Sequence, residues 1–271
     1  MSPPDDRFAR WIAALEAKHL AELTFSEVSR ALRALSSTYV ERRQKLASGA
    51  ALSGAGKRAA FALFYGPLHH LLIAHIVAGL PEATAKVDTI LDLGCGTGAS
   101  GAAWAAACRA APVDAKREGG PRVIGIDRHP WVLSEAAATY RAFGIPATVR
   151  QADVAAFTLP KGPVAVLAAF TMNELPDPER DALLARLVAR ARHGDRVLIV
   201  EPLAGFVARW WNRWRDTFEA AGGRGDEWRL RTELPAIVAK LDRAAGLNHR
   251  EITGRSLWLG GPSSAPARRG S

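Results

Sequence analysis

The chain has 271 residues, 48% hydrophobic and 23% charged, a length filled by one domain of roughly 100–200 residues plus a modest addition. No apolar run approaches the ~20 residues that cross a bilayer, and Met1-Ser2-Pro3-Pro4-Asp5-Asp6 places acids and prolines where a secretory signal carries basic residues ahead of an apolar run; the expectation is a soluble cytoplasmic protein with no membrane partner. The net charge of +9 is unevenly spread, with an excess of +4 over residues 1–60, +1 over 61–199 and +4 over 200–271, so basic flanks that suit a polyanion such as RNA, or that are only a solvated surface, enclose a near-neutral centre.

From Arg7 to Leu46 the residues Phe8, Trp11, Ile12, Leu15, Leu32, Leu35 and Tyr39 recur every three or four positions, the period of an amphipathic helix. A small-residue break, 47–56, precedes a second apolar helical stretch from Lys57 to Leu80, interrupted or restarted at Gly66-Pro67 and terminated by Gly79 and Pro81. Tyr65, His69 and His70 sit near that break, where Tyr65 and His69 are candidates for a substrate pocket and a structural role is the plainer alternative. Residues 1–80 therefore read as an N-terminal helical extension or cap.

After Pro81 the pattern changes to short apolar strands alternating with helices. Strands are expected over Val87–Leu93, Val123–Asp127, Ala147–Arg150, Val164–Phe170 and Arg196–Glu201, and helices over Ser100–Arg109, Pro130–Phe143 and Pro178–Arg192. That alternation predicts a mainly parallel sheet covered on both faces, a Rossmann-like α/β domain over residues 81–260. Asp177-Pro178 supplies an N-cap and a first-turn proline for the last of these helices. Residues 111–121 read as a surface insertion and 261–271 as a disordered tail. The two cysteines, Cys95 and Cys108, have no metal-site spacing, so no protein-bound metal is expected and reduced thiols are favoured over a disulfide.

The chemistry concentrates in Leu91-Asp92-Leu93-Gly94-Cys95-Gly96-Thr97-Gly98, a buried strand that runs into a triple-glycine turn and opens a helix. Glycine removes the Cβ that would block a ligand lying against the backbone. Dinucleotide enzymes use such a turn too, but with Gly-x-Gly-x-x-Gly spacing; here it is Gly-x-Gly-x-Gly. The next strand ends in Asp127, which can accept hydrogen bonds from both hydroxyls of a ribose, and Arg128 and His129 border the same place.

The motif resembles the first motif of the class I S-adenosylmethionine-dependent methyltransferases, over roughly residues 87–260. The resemblance implies S-adenosylmethionine as cofactor, with Gly94, Cys95 and Gly96 along its methionine portion, Asp92 orienting its amino group, Asp127 on its ribose beside Arg128, and Asp153 with Val154 near its adenine. It also implies that Phe170-Thr171-Met172-Asn173-Glu174 is where cofactor and acceptor meet, which makes Phe170 a cofactor neighbour and Asn173 and Glu174 the catalytic candidates. The segment lacks the Asn/Asp-Pro-Pro-aromatic motif of amino-directed nucleic-acid methyltransferases.

Residues 34–43 (Ala-Leu-Ser-Ser-Thr-Tyr-Val-Glu-Arg-Arg), 171–175 (Thr-Met-Asn-Glu-Leu) and 198–206 (Leu-Ile-Val-Glu-Pro-Leu-Ala-Gly-Phe) further resemble a bacterial family linked to the small ribosomal subunit, the Rsm-twenty-two-like methyltransferases. Some of its members carry cysteine clusters that this chain lacks, so no cluster-dependent role carries over. Finally, Phe206–Phe218 reads as a helix with Val207, Trp210, Trp211, Trp214 and Phe218 on one face, either core packing or an aromatic wall over the acceptor, with Arg209 and Arg213 as candidate substrate contacts. Three functions follow: a methyltransferase acting on RNA or a ribosomal component, with Arg42, Arg43, Arg209 and Arg213 on its backbone; a methyltransferase for a small metabolite; or a noncatalytic assembly factor that retains the fold. The sequence does not decide the oligomeric state.

Overall fold

The structure, a computed structural model, describes residues 6–41, 52–85, 87–110, 120–203 and 210–260. Among these, β1 (Thr89–Leu93), β2 (Arg122–Asp127), β3 (Ala147–Gln151), β4 (Ala165–Ala169), β5 (Arg196–Glu201), β6 (Arg224–Leu230) and β7 (Ile252–Leu259) form one sheet in the order β3-β2-β1-β4-β5-β7-β6. The first five are parallel to one another, and β7 runs antiparallel between β5 and β6. β1 and β4 are buried along their whole length, as expected of central parallel strands covered on both faces. Their carboxyl ends, with that of β2, open on one edge of the sheet, where ligands of such sheets bind.

Successive residues of each strand feed two different cores. Ile90, Val123, Leu198 and Val200 face the helices α1 (Arg7–His19), α2 (Phe25–Glu41), α3 (Ala55–Ala60), α4 (Gly66–Ala78), α6 (Ala99–Ala110), α7 (Pro130–Ala142) and α10 (Ala236–Ala245). Leu91, Leu93, Val166 and Ile199 face α8 (Asp177–Ala191) and α9 (Trp211–Ala220). A short helix, α5 (Pro81–Thr84), leads into β1. The N-terminal helices thus share a core with the sheet. Trp11 in α1 also donates its indole N–H to Thr139 of α7 at 3.2 Å, and Lys18 pairs with the buried Glu135 of α7.

Several expectations are corrected. The periodic stretch from Arg7 is two helices, because Thr24 starts a new one: its hydroxyl accepts the Glu27 N–H and Glu27 bonds back to the Thr24 N–H at 2.8 Å, a capping box. Gly66-Pro67 does not restart the next helix. Ala55 to Ala78 is continuous, with a π-helical turn over Phe61–Tyr65 that takes up the proline's missing N–H donor. This 24-residue helix is long and apolar enough to cross a membrane by length and composition, contrary to the sequence expectation, and 67% of its most apolar window is buried within the fold. Asp177 is not the N-cap of α8 but its first residue, with Pro176 at the cap and the Asp177 carboxylate 2.7 Å from Arg180. The aromatic stripe of α9 is core packing: Trp211, Trp214 and Phe218 are buried. Cys95 and Cys108 are both free. The 111–119 part of the insertion, the tail 261–271, and Arg42, Arg43 and Arg209 lie outside the described residues.

His70 on α4 is stacked between Phe8 (4.7 Å between centroids) and Phe143 (4.9 Å), with neither ring nitrogen hydrogen-bonded, and burial lowers its pKa to about 4. An unfolded histidine titrates near 6.5, so between about 6.5 and 4 the unfolded chain binds the extra proton and stability falls as pH falls. We therefore expect the melting temperature to drop from pH 7 to pH 5, and to drop less in His70→Phe, whose ring keeps the stack and has no proton to gain. Equal losses in both proteins would show that His70 is not the responsible group.

Candidate active site

The glycine turn is pinned from below by β2. The N–H groups of Gly94 and Cys95 donate to the Ile126 carbonyl at 2.8 and 3.0 Å, and that of Gly96 donates to the Asp127 carboxylate at 3.1 Å. The other Asp127 oxygen accepts the His129 N–H at 2.9 Å. Asp127 therefore ties the ends of β1 and β2 together, and its half-exposed carboxylate keeps lone pairs for further donors. Gly94 has φ +67° and a Cβ there would lie 2.3 Å from the Thr171 hydroxyl, so the turn presses directly on the segment after β4. Gly96, at φ +50°, has the Phe61 ring 3.6 Å from where its Cβ would be.

Beneath the turn, Asp92 is buried. One carboxylate oxygen accepts from Gly101 N–H (3.1 Å) and from the Tyr140 hydroxyl (3.0 Å), while Oδ1 is buried with no partner. Burial raises its pKa to about 7, and the nearby Asp127 adds to the rise against those two hydrogen bonds. A buried acceptor without a donor is costly, and it suits a ligand that brings a cationic or N–H group.

Past β4 the chain turns at Phe170, whose φ of +59° is rare for a residue with a side chain and marks stored strain. Its N–H is held by Val200 at 2.7 Å, and the Thr171 hydroxyl reaches the Leu93 and Ala169 carbonyls, each at 3.1 Å. The Phe170 ring stacks on His69 with 3.9 Å between centroids. His69 in turn lies edge-on to Phe61 (6.3 Å) and beside Tyr65 (6.1 Å), so the π-helical turn and the start of α4 roof the glycine turn with aromatic rings. Burial takes His69 down to about 3 and Tyr65 up to about 12; both are neutral at physiological pH.

The structure thus brings Asp92, Gly94, Cys95, Gly96 and Asp127 together, with Phe170 beside them and Tyr65 and His69 above. The Cys95 side chain is buried toward Gly125, and its backbone serves the turn itself, the N–H on Ile126 and the carbonyl accepting the Gly98 N–H at 2.8 Å. Arg128 is exposed, with its carbonyl taken by Gln151. Asp153 is exposed and accepts the Ala155 N–H, and the Val154 side chain belongs to the second core. Two candidates change character. The Asn173 amide is engaged by Glu201 and Trp210, so it holds structure and is no free catalyst. Arg213 pairs with Asp181 of α8 at 2.5 Å and lies over Trp214, on the far side of the sheet from the aromatic roof. Glu174 is half-buried at the end of the turn. Phe61, Tyr140 and Glu201 were not singled out from sequence for this site, whereas Thr171 lay in the segment expected to join cofactor and acceptor and Trp210 in the aromatic stripe. Of the three missed, Glu201 had a signal, as an acid ending a strand. Among the described residues no cluster of histidine, cysteine and carboxylate side chains can hold a metal ion.

Residues 90–194 match a family model described as a methyltransferase domain. No curated protein matches the chain. Among solved structures, a protein of Listeria monocytogenes described as a class I S-adenosylmethionine-dependent methyltransferase superposes with a TM-score of 0.52 at 16% identity, covering 97% of this chain and 90% of that one. The N-methyltransferase NodS of Bradyrhizobium japonicum, solved with S-adenosylhomocysteine, gives 0.47 at 13% identity over 72% and 86% of the two chains. A magnesium protoporphyrin IX methyltransferase of Synechocystis, solved with S-adenosylmethionine, gives 0.45 at 15% over 88% and 98%. The Listeria likeness supports the fold, a sheet of the class I type.

Proposed function

We propose that the chain is a class I S-adenosylmethionine-dependent methyltransferase, a reading supported by the methyltransferase-domain match over residues 90–194 and by the sheet, and that it methylates a small, flat, uncharged acceptor held under the aromatic roof. The observation that carries this reading is the roof itself: His69, neutral and stacked on Phe170, closes over the glycine turn with Phe61 and Tyr65. An acceptor that rests against these rings would be aromatic or apolar. The ribosomal reading draws less support. A polyanion is held by unpaired cations, yet Arg213, Arg215, Arg224, Arg229 and Arg231 of the basic C-terminal flank all pair with carboxylates.

In this reading the residues fit the cofactor. Asp127 takes the ribose hydroxyls, the Gly94–Gly96 backbone lies along the methionine portion, and the unpartnered Asp92 Oδ1 meets its ammonium; Arg128, Asp153 and Val154 border the adenine. The cofactor supplies an electrophilic methyl group on a sulfonium. The protein's share is alignment and exclusion of water. His69, with its pKa near 3, stays unprotonated but is too weak a base to remove a proton at neutral pH, so the reading asks for an acceptor atom that is nucleophilic without deprotonation.

If Asp92 meets the ammonium, it must be ionised there, whereas its pKa without ligand is about 7. Binding of S-adenosylhomocysteine should then weaken as pH falls from 8 to 6, approaching tenfold per unit below 7, and release protons at pH 7. Calorimetry in buffers of different ionisation enthalpy reads the release. Asp92→Asn should show neither effect; an identical pH dependence in that variant would remove Asp92 from the ligand.

The acceptor class is tested by supplying methyl-labelled S-adenosylmethionine with total RNA, isolated small ribosomal subunits, or a low-mass cell extract. The reading expects label in the low-mass fraction. Label in RNA or in the subunit would replace it with the ribosomal one, and no transfer to any fraction would favour the noncatalytic assembly factor.

A further inference from the structure

Glu201 ends β5 fully buried. Its Oε1 accepts the backbone N–H of Asn173 at 3.2 Å, and its Oε2 accepts a hydrogen from Asn173 Nδ2. On the other side of the same amide, Asn173 Oδ1 accepts the indole N–H of Trp210 at 3.0 Å. An indole nitrogen can only donate, so the atom facing it must be Oδ1, and Nδ2 must then face the carboxyl group. Both Glu201 oxygens are acceptors, an arrangement that a carboxylate serves better than a carboxylic acid.

We propose that ionised Glu201 is a positioning residue: acting through Asn173, it holds Trp210 against the turn that abuts the glycine motif, and its protonation releases Trp210. Protonation weakens Glu201 as an acceptor of the Asn173 amide. Where the proton lies on the oxygen facing Nδ2, the O–H and the amide N–H conflict, and turning the amide over to relieve this would set Nδ2–H against the indole N–H, two donors face to face. The relay thus holds Trp210 most firmly while Glu201 is charged. It spans β5, the turn after β4 and the residue preceding α9, so it fixes the acceptor side of the site from beneath.

The charged groups around it come from each packed element. Glu174, on the same turn, opposes a negative charge on Glu201. Arg180 of α8 lies 5.1 Å over the Trp210 ring and is tied to Asp177, and Arg255 of β7, the register partner of Glu201, lies 4.2 Å over Trp211. Burial above all, with Glu174 adding, raises Glu201 to about 8 against the hydrogen bonds from Asn173 and Met172, which places the transition within a pH range the protein can be studied in.

The test reads the relay itself and needs no acceptor. It rests on the methyltransferase reading only for its consequence at the site, so a wrong acceptor class leaves it standing. In the full chain with 15N-labelled tryptophan, one of the eight indole resonances is assigned to Trp210 by its loss in Trp210→Phe. The expected result is an upfield shift of its indole proton as pH falls from 10 to 6.5, with a midpoint near 8. In Glu201→Gln, whose amide mimics the protonated acid, the resonance should sit at the wild-type low-pH position throughout. If Glu201→Gln does not fold, Asn173→Ala removes the middle of the relay and should likewise abolish the titration. A wild-type indole that does not move over this range, or a titration that survives in either variant, would overturn the proposal; a merely structural Glu201 would give no such titration.

Discussion

Asp127→Ala is expected to weaken binding of S-adenosylhomocysteine by about 1–3 kcal/mol, roughly 5- to 150-fold, because two hydroxyl hydrogen bonds to a charged group are lost. The same carboxylate also accepts the N–H groups of Gly96 and His129, so part of the loss would come from a loosened turn. Asp127→Asn separates the contributions, since its one remaining oxygen can keep either a turn contact or a ribose contact, and it should fall between wild type and alanine. Calorimetric titration of all three proteins, with melting curves to show that they fold, measures the effect. Unchanged affinity in a folded alanine variant would place the ribose elsewhere.

Gly94→Ala should cost about 2–5 kcal/mol of stability, the sum of overpacking and of a left-handed backbone for a residue with a Cβ. The added methyl would lie 2.3 Å from the Thr171 hydroxyl and 2.5 Å from its methyl, at φ +67°. Thr171→Ala removes the two closest of these atoms, so combining the changes should recover the packing part of the loss and leave the backbone part. Urea unfolding of the two single variants and the double variant gives the coupling directly. Strictly additive losses would mean that the turn and the segment after β4 do not press on each other as described.

Much of the frame was legible because it rests on local chemistry. The strand-to-helix turn around Gly94 and the acid at Asp127 could be read from residue type and spacing, and the five parallel strands lie within two residues of their expected bounds. The reversed strand β7, the edge strand β6 and α10 were not assigned, since β6 is a half-exposed polar strand whose partner β7 gives it its place. The roof was only half seen. Tyr65 and His69 were flagged by their proximity to Gly66-Pro67, but that His69 stacks on Phe170 with Tyr65 beside it depends on a π-helical turn with no sequence signature. Asn173 was read as catalytic from its position after β4; the sequence could not show that its amide is engaged by partners 28 and 37 residues away. Arg213 likewise looked available until α8 placed Asp181 against it.

The most direct test of the account is a calorimetric comparison of S-adenosylhomocysteine, S-adenosylmethionine and a nicotinamide dinucleotide on the unmodified chain. The Gly-x-Gly-x-Gly turn, the unpartnered Asp92 oxygen and the Asp127 clamp predict micromolar-scale binding of the two sulfur ligands and none of the dinucleotide. Tight dinucleotide binding without binding of either sulfur ligand would contradict the site described.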